Sequence, residues 1–360
     1  MKIELEYNLK LNIINGSATE NGESHSGGHR PIMDYCFNKR MNILAAIFGN
    51  EIIYIYKKSE SKNFKNQQEW ILCSELIEHH SRITGIDWNK QNDNILVSCG
   101  SDLNVYVWVC NEDECWKPTF VLIHINRAAT CVKWSPNGKR FAVGSAARTI
   151  SICNYEQCDD IWVSRKVKRA GKGTITCLDW HPDNKIIVVG CVDGKLRIFG
   201  VSEHSTHGKF GEQLLEINSS AWLCAVKFST ELSDHSFLLA YSAHNSSVGI
   251  IRLRQENGMW AFSSHKQEKY CCLPFTSLDF ALINDKITSI IAAGYDCRFA
   301  SIDHETCFME WLSKENETSI EVERKHKNCI TKLRTFNDKN GECMLSSSGL
   351  DGNIYIWKVV

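Results

Sequence analysis

The chain has 360 residues, enough to bury a large core, and a formal net charge of −1. That balance gives no global case for nucleic acid or an anionic membrane surface as a partner. No apolar run approaches the roughly 20 residues that span a bilayer, and the seventeen cysteines include no C-x-x-C pair, so neither a zinc ribbon nor a thioredoxin-like site is signalled.

Many of the cysteines, such as Cys99, Cys131, Cys177 and Cys297, stand where a strand would bury a small apolar residue. An odd set of strand-buried thiols makes a poor disulfide framework and indicates a reducing compartment. The first six residues are acidic and lack the apolar core of a signal peptide, which agrees with a cytoplasmic location.

In chain order, residues 3–14 alternate as a strand does, and the Gly/Ser/Glu/Asn-rich stretch 15–28 is expected to be flexible. Residues 1–28 are therefore read as an N-terminal extension to a single domain, 29–360. That domain opens with strand patterns at 32–35, 43–48 and 52–56. Three copies of one unit then follow. The first is Ile-Thr-Gly-Ile-Asp-Trp at 83–88, an apolar run to Cys99 and Val-Tyr-Val-Trp at 105–108. The second has Cys-Val-Lys-Trp-Ser-Pro at 131–136 and Ile-Ser-Ile-Cys at 150–153. The third has Cys-Leu-Asp-Trp-His-Pro at 177–182 and Leu-Arg-Ile-Phe at 196–199. Each unit is a set of short β-branched and aromatic runs punctuated by turn residues.

The last apolar residue of each third strand marks the phase: Tyr56, Trp108, Cys153, Phe199, Ile251, Ile302 and Trp357. Their spacing of 45 to 55 residues lies at or above the roughly 40–45 of a WD40 blade. Six positions before them stand Asn50, Asp102, Ala147, Asp193, Asn245, Asp296 and Asp351, mostly residues that favour tight turns. First-strand aromatics keep the same phase at Tyr35, Trp88, Trp134, Trp180, Phe228 and Phe280, with Thr335 the exception. Their expected role is packing between blades. The pattern predicts an all-β, seven-bladed WD40 propeller in which blades five and six are the most degraded. The sequence runs only three residues past Trp357, so the outer strand of blade seven is expected from the N-terminal segment, which would close the sheet edge.

His79, Ser98, Asp102 and Trp108 recur at matching offsets as His326, Ser347, Asp351 and Trp357. A Ser/His/Asp set suggests a hydrolase. Its repetition at propeller phase, with a tryptophan attached and no nucleophile elbow, points instead to a hydrogen-bonded network inside each blade, and not to an enzyme. His79-His80 and His304-Glu305 lack metal-ligand spacing, and no phosphate-binding loop motif occurs, so no metal or other cofactor is expected. Two surface features remain. The run Arg165, Lys166, Lys168, Arg169 and Lys172 is either a solvated outer strand and loop or a dock for an acidic partner segment. Asn126 and Arg127, within 125–129, suit either a backbone contact in the fold or a contact to a partner.

The segment 116–136, continuing through 141–145 and 150–153, closely resembles the family of subunit 1 of the actin-related protein 2/3 complex. So do 83–88, 178–182, 210–212 and 293–297. The resemblance implies a non-catalytic propeller within an assembly that nucleates branched actin filaments. It further implies, as partners, the other subunits, the actin filament and acidic nucleation-promoting activators. Two features depart from the family: an additional N-terminal segment, and a short connection after Trp311. Residues 313–325 offer only Ile320 and Val322 as apolar anchors among many charges, so this connection is expected to add little to filament binding. The alternative is a generic WD40 adaptor, such as a ubiquitin-ligase substrate receptor, which would more commonly carry an added recruitment domain.

Overall fold

The structure, a computed structural model, describes residues 3–9, 11, 30–59, 70–202, 209–256, 259–270, 272–283, 286–312, 325–338 and 340–359. The expected flexible stretch 15–28 and the connection 313–324 lie outside them. The described residues form seven four-stranded antiparallel sheets, each a meander from an innermost to an outermost strand. The innermost strands are Asp34–Phe37, Ile83–Trp88, Ala129–Trp134, Ile175–Trp180, Leu223–Glu231, Phe275–Ile283 and Ile330–Asn337. All seven phase markers fall in third strands, as the propeller pattern requires. The irregular turn sequences of blade five do not shorten it. Its two outer strands, Ser247–Glu256 and Met259–Lys269, run to 10 and 11 residues, while blade six ends in strands of 4 and 3 residues.

The outermost strand of blade seven is Ile3–Leu9, paired antiparallel with Ile354–Val359 from Ile3 opposite Val359 to Leu9 opposite Ile354. Beyond it Leu11 forms a parallel bridge to Trp70, the first residue of blade one's outer strand. One chain terminus thus crosses the seam between the last blade and the first. A bulge between Leu5 and Tyr7 switches the face, so Ile3 is buried with Trp357 and Val359 against blade six and Leu9 with Ile354 and Ile356 against blade one.

The core lies between blades. Ala45, Ile47 and Ile55 of blade one pack with Ile86, Trp88 and Trp108 of blade two, and six comparable clusters complete the circuit. Tyr35, Trp88, Trp134, Trp180, Phe228 and Phe280 are all at most 5% exposed, so the in-phase aromatics are the packing surfaces between neighbouring blades. Hydroxyls fasten the innermost strands together. Thr84, Thr130, Thr176, Thr276 and Thr331 each donate to a carbonyl of the next blade, respectively Ala129, Ile175, Leu223, Ile330 and Ile32, at 2.5–2.9 Å.

The residue before each first-strand phase position, aromatic in six blades and Thr335 in the seventh, is charged, and these residues gather at the propeller axis: Asp34, Asp87, Lys133, Asp179, Lys227, Asp279 and Arg334. Asp87, Asp179 and Asp279 also each accept the backbone N–H of the next blade's first-strand residue, Trp134, Phe228 and Thr335, at 2.9 Å. Lys133 lies 3.5 Å from Asp87, Lys227 lies 3.8 Å from Asp279, and the two Arg334 amino groups lie 3.6 Å from Asp34 and 3.5 Å from Asp87.

Candidate functional site

Turn chemistry comes first. In six of the seven blades the residue after the second-to-third-strand turn position is left-handed: Leu103, Arg148, Gly194, Ser246, Cys297 and Gly352 have φ between 57° and 76°, whereas in blade one the left-handed residue is Gly49, before Asn50, at 81°. Of the six, only Gly194 and Gly352 adopt this conformation without a Cβ penalty.

In blade two the turn carboxylate of Asp102 takes His79 Nδ1 at 2.9 Å, the N–H of His80 at 3.0 Å and that of Asn104 at 3.2 Å. His79 Nε2 meets Ser98 Oγ at 2.8 Å, and the Trp108 indole donates to the same hydroxyl at 2.9 Å. Blade seven repeats the set. Asp351 holds His326 Nδ1 at 3.0 Å, while Ser347 takes His326 Nε2 and the Trp357 indole, each at 2.8 Å. The polar chain thus links a loop, a turn and two strands. A side chain at Gly100 would place its Cβ 2.5 Å from Asp102 Oδ1, and one at Gly349 would come 2.6 Å from His326 Nδ1, so both positions need glycine.

Both serines are completely buried, so no substrate reaches either hydroxyl. Among the described residues no group of three or more His, Cys, Asp or Glu is placed to hold a metal ion. Burial pushes the His79 imidazole below its ordinary range against the pull of Asp102. Burial alone would raise Asp102, but the His80 amide and His79 outweigh it and hold the carboxyl low. Asp351 is likewise held low, with His326 outweighing burial. Both lowered groups act in the same sense. As pH falls through the ordinary histidine and then the carboxylate range, the unfolded chain gains protons that the folded one resists, and stability falls. Asp351→Ala leaves His326 Nδ1 without its acceptor and is expected to destabilise by about 1–3 kcal/mol, read as a lower denaturant midpoint with unchanged slope. Full stability in this variant would mean the network carries nothing.

Blades four and five reach the same end with other residues. Arg197, buried, forks between Asp193 and Glu216, at 2.8 Å to each. In blade five Tyr241 occupies the serine position and bonds His265 Nε2 at 2.8 Å and Gln267 at 3.1 Å. Gly249 is required opposite it, because a Cβ there would enter the tyrosine ring at 2.1 Å.

The second feature is a groove of about 990 Å³ between blades three and four. Its walls come from three separate stretches. Asn126 and His124 belong to the loop entering blade three, Arg148 and Thr149 to a turn of that blade, and Lys166, Lys168, Arg169 and Lys172 to its outer strand and the loop beyond. Arg197 and Glu216 of blade four, already paired, complete the lining. The Ala170 N–H donates to the Arg148 carbonyl at 3.0 Å and ties the second and third stretches together. Lys166 donates to the His124 carbonyl and ties in the first. Arg148, Arg169 and His124 all have positive φ, a conformation that L-residues retain where the surroundings hold it. The groove gathers five cationic side chains, Arg148, Lys166, Lys168, Arg169 and Lys172, around one carboxylate that is already paired.

The basic run does not act as one strip. Alternation along Ile161–Val167 turns Lys166 toward the groove, whereas the exposed Arg165 stacks over Phe210 with its guanidinium 4.0 Å from the ring centroid. Arg127 is exposed but does not line the groove, whereas its neighbour Asn126 does. Arg148 and His124 escape a reading of charge runs. A signal for Arg148 does exist, since it is a cation at a turn position that takes glycine in two other blades.

The sequence was compared with known proteins. The model of the WD domain, G-beta repeat, matches residues 70–109, 116–154, 164–200 and 318–358. The chain is 34% identical to actin-related protein 2/3 complex subunit 1A-A of Xenopus laevis, over 91% of its length and 94% of that protein. It is 30% identical to actin-related protein 2/3 complex subunit 1 of Saccharomyces cerevisiae, over 91% and 95%, and 29% identical to subunit 1A of Arabidopsis thaliana, over 90% and 93%.

Proposed function

Because this chain belongs to the family of subunit 1 of the actin-related protein 2/3 complex, we propose that its groove between blades three and four receives acidic segments of the activators of that complex. The protein itself is a non-catalytic, structural subunit in branched actin nucleation, with the other subunits as partners and the actin cytoskeleton as its place of work. The free thiols, all sixteen of those described, suit a reducing cytoplasm. Actin filament contact is attributed to the assembled complex.

The observation that carries the groove reading is the convergence of five cations from two separate stretches, the turn at Arg148 and the outer strand and loop 166–172, on one concavity of about 990 Å³. Three of its lining residues are held at positive φ. Such a concavity concentrates field lines, so a carboxylate-rich segment is drawn in and oriented before close contact. The test is titration of a labelled Asp/Glu-rich activator peptide into the assembled complex. Lys166→Glu, Lys168→Glu and Arg169→Glu together are expected to weaken binding at least tenfold. The difference between variant and parent should shrink as salt rises beyond about 0.15 M, where the Debye length is about 8 Å. Arg148→Gly is a milder companion that removes a charge while easing the backbone, and it is expected to weaken binding without lowering the melting midpoint. Salt-independent binding, or equal affinity in the triple variant, would remove the groove from this role.

A further inference from the structure

A second concavity, of about 1020 Å³, lies at the seam where the last blade meets the first. In an antiparallel meander the turns between first and second strands emerge on one end of the propeller, and the outer-to-inner connections emerge on the other. The seam groove is walled by first-to-second-strand turns, through Lys39, Arg40, Met41 and Asn42 on one side and Asn337, Asp338, Asn340 and Glu342 on the other, so it opens on the face opposite the basic groove.

Its floor is apolar. Phe37 sits 5.6 Å from Trp70 and 6.4 Å from Phe336, centroid to centroid, with Met344 and Ile356 beside them. Trp70 is only 2% exposed, and its indole N–H has no hydrogen-bond partner among the described residues. The walls are sorted by charge, with Lys39, Arg40 and Lys58 on the blade-one side and Glu6, Asp338 and Glu342 on the blade-seven side.

We propose that this seam groove docks an extended segment of another subunit of the complex, with a bulky apolar side chain on the Phe37–Phe336 floor, an acidic residue toward Lys39 and a basic residue toward Asp338. An extended segment is assigned because its successive side chains point to opposite sides, so that neighbouring residues meet the two oppositely charged walls. The proposal rests on membership of the complex and not on the basic groove. The two are separable, since they lie on opposite faces and are read by different probes.

The test uses the assembled complex with a photo-crosslinking amino acid in place of Lys39 or, separately, Asn340, and with Glu75 on the outer rim of blade one as control. Cross-links from both walls to one non-helical stretch of a single neighbouring subunit, acidic on the Lys39 side and basic on the Asn340 side, are the expected result. Cross-links that are absent, internal to the chain, directed to a second copy, to a helix or to two different subunits overturn it. In parallel, Lys39→Glu is expected to lower incorporation into the complex five- to tenfold in competition with the parent chain, at an unchanged melting midpoint. Equal incorporation overturns the charge assignment. Peptide binding at the basic groove is measured on the same complexes and stays unchanged if the two surfaces are independent.

Discussion

Replacing Arg334 by leucine is expected to destabilise the protein by about 3–5 kcal/mol, the usual cost of removing one partner from a buried charge cluster. From Asp87 onward the axial residues alternate in sign: Asp87, Lys133, Asp179, Lys227, Asp279, Arg334. Seven is odd, so Asp34 and Asp87 meet as like charges. Arg334 reaches both, 3.6 Å from the first and 3.5 Å from the second. Burial opposes the charge on Arg334, but the two carboxylates outweigh it and raise its affinity for the proton. For Asp87, burial again works against ionisation, and Lys133, Lys90 and Arg334 together overcome it.

Leucine leaves two desolvated carboxylates facing each other. Urea denaturation should show a lower midpoint with unchanged slope, and Asp34→Asn added to Arg334→Leu should recover part of the loss. A second readout is specific to charge. Burial, and then Arg334, push Lys133 down to about 8. Its ionised form is therefore costly in the folded protein, and stability rises with pH from about 8 toward the ordinary lysine range near 10.4. In the leucine variant Lys133 moves back up and that alkaline rise shrinks. A loss below about 1 kcal/mol, within the range of ordinary surface effects, with the alkaline rise intact, would show that the ring does not depend on Arg334.

Deleting residues 1–11 is the second change with a large expected effect. Ile3 and Leu9 are 5% and 1% exposed, and each contributes about 1.5–3 kcal/mol by burial. The deletion also strips the hydrogen-bonded neighbour from Ile354–Val359 and uncovers a sheet edge of apolar residues. The truncated protein should melt well below the parent and scatter light on warming. Ile3→Asp with Leu9→Asp, which keeps the backbone present, should reproduce the loss of stability with less aggregation. An unchanged melting midpoint in both would mean that another segment supplies the outer strand.

The propeller was legible because two signals coincide: alternation within strands and a turn residue in fixed phase. Asp102, Asp193, Asp296 and Asp351 declare their blades even where the strands are irregular. Blade five shows the limit, because its network runs through Tyr241 and His265, which match no repeat template and emerge only from the fold. The basic groove was half legible. Charge density pointed to Lys166 and Lys168, but a strand divides a linear run between two faces, and that division sent Arg165 to Phe210. Arg148 joins the groove from a turn, which no scan of consecutive residues can find. The axial ring was written in the sequence one position before each first-strand marker, Thr335 included, and it goes unnoticed because it alternates in sign and cancels in any local charge count.

The threonine bonds between innermost strands skip two junctions. The in-phase position is Pro31 before blade one, which has no hydroxyl, and Cys224 in blade five, whose thiol is a weak donor. The fastened junctions therefore fall into two runs, blades two to five and blades six, seven and one. By these hydroxyl bonds the ring divides into two arcs, and the two junctions between them are held by other contacts, such as Arg40 with Asp93 and Lys227 with Asp279. The basic groove lies wholly within one arc and the seam groove wholly within the other. Each concavity therefore sits beside a junction that carries the threonine bond, blades three–four for the basic groove and seven–one for the seam groove.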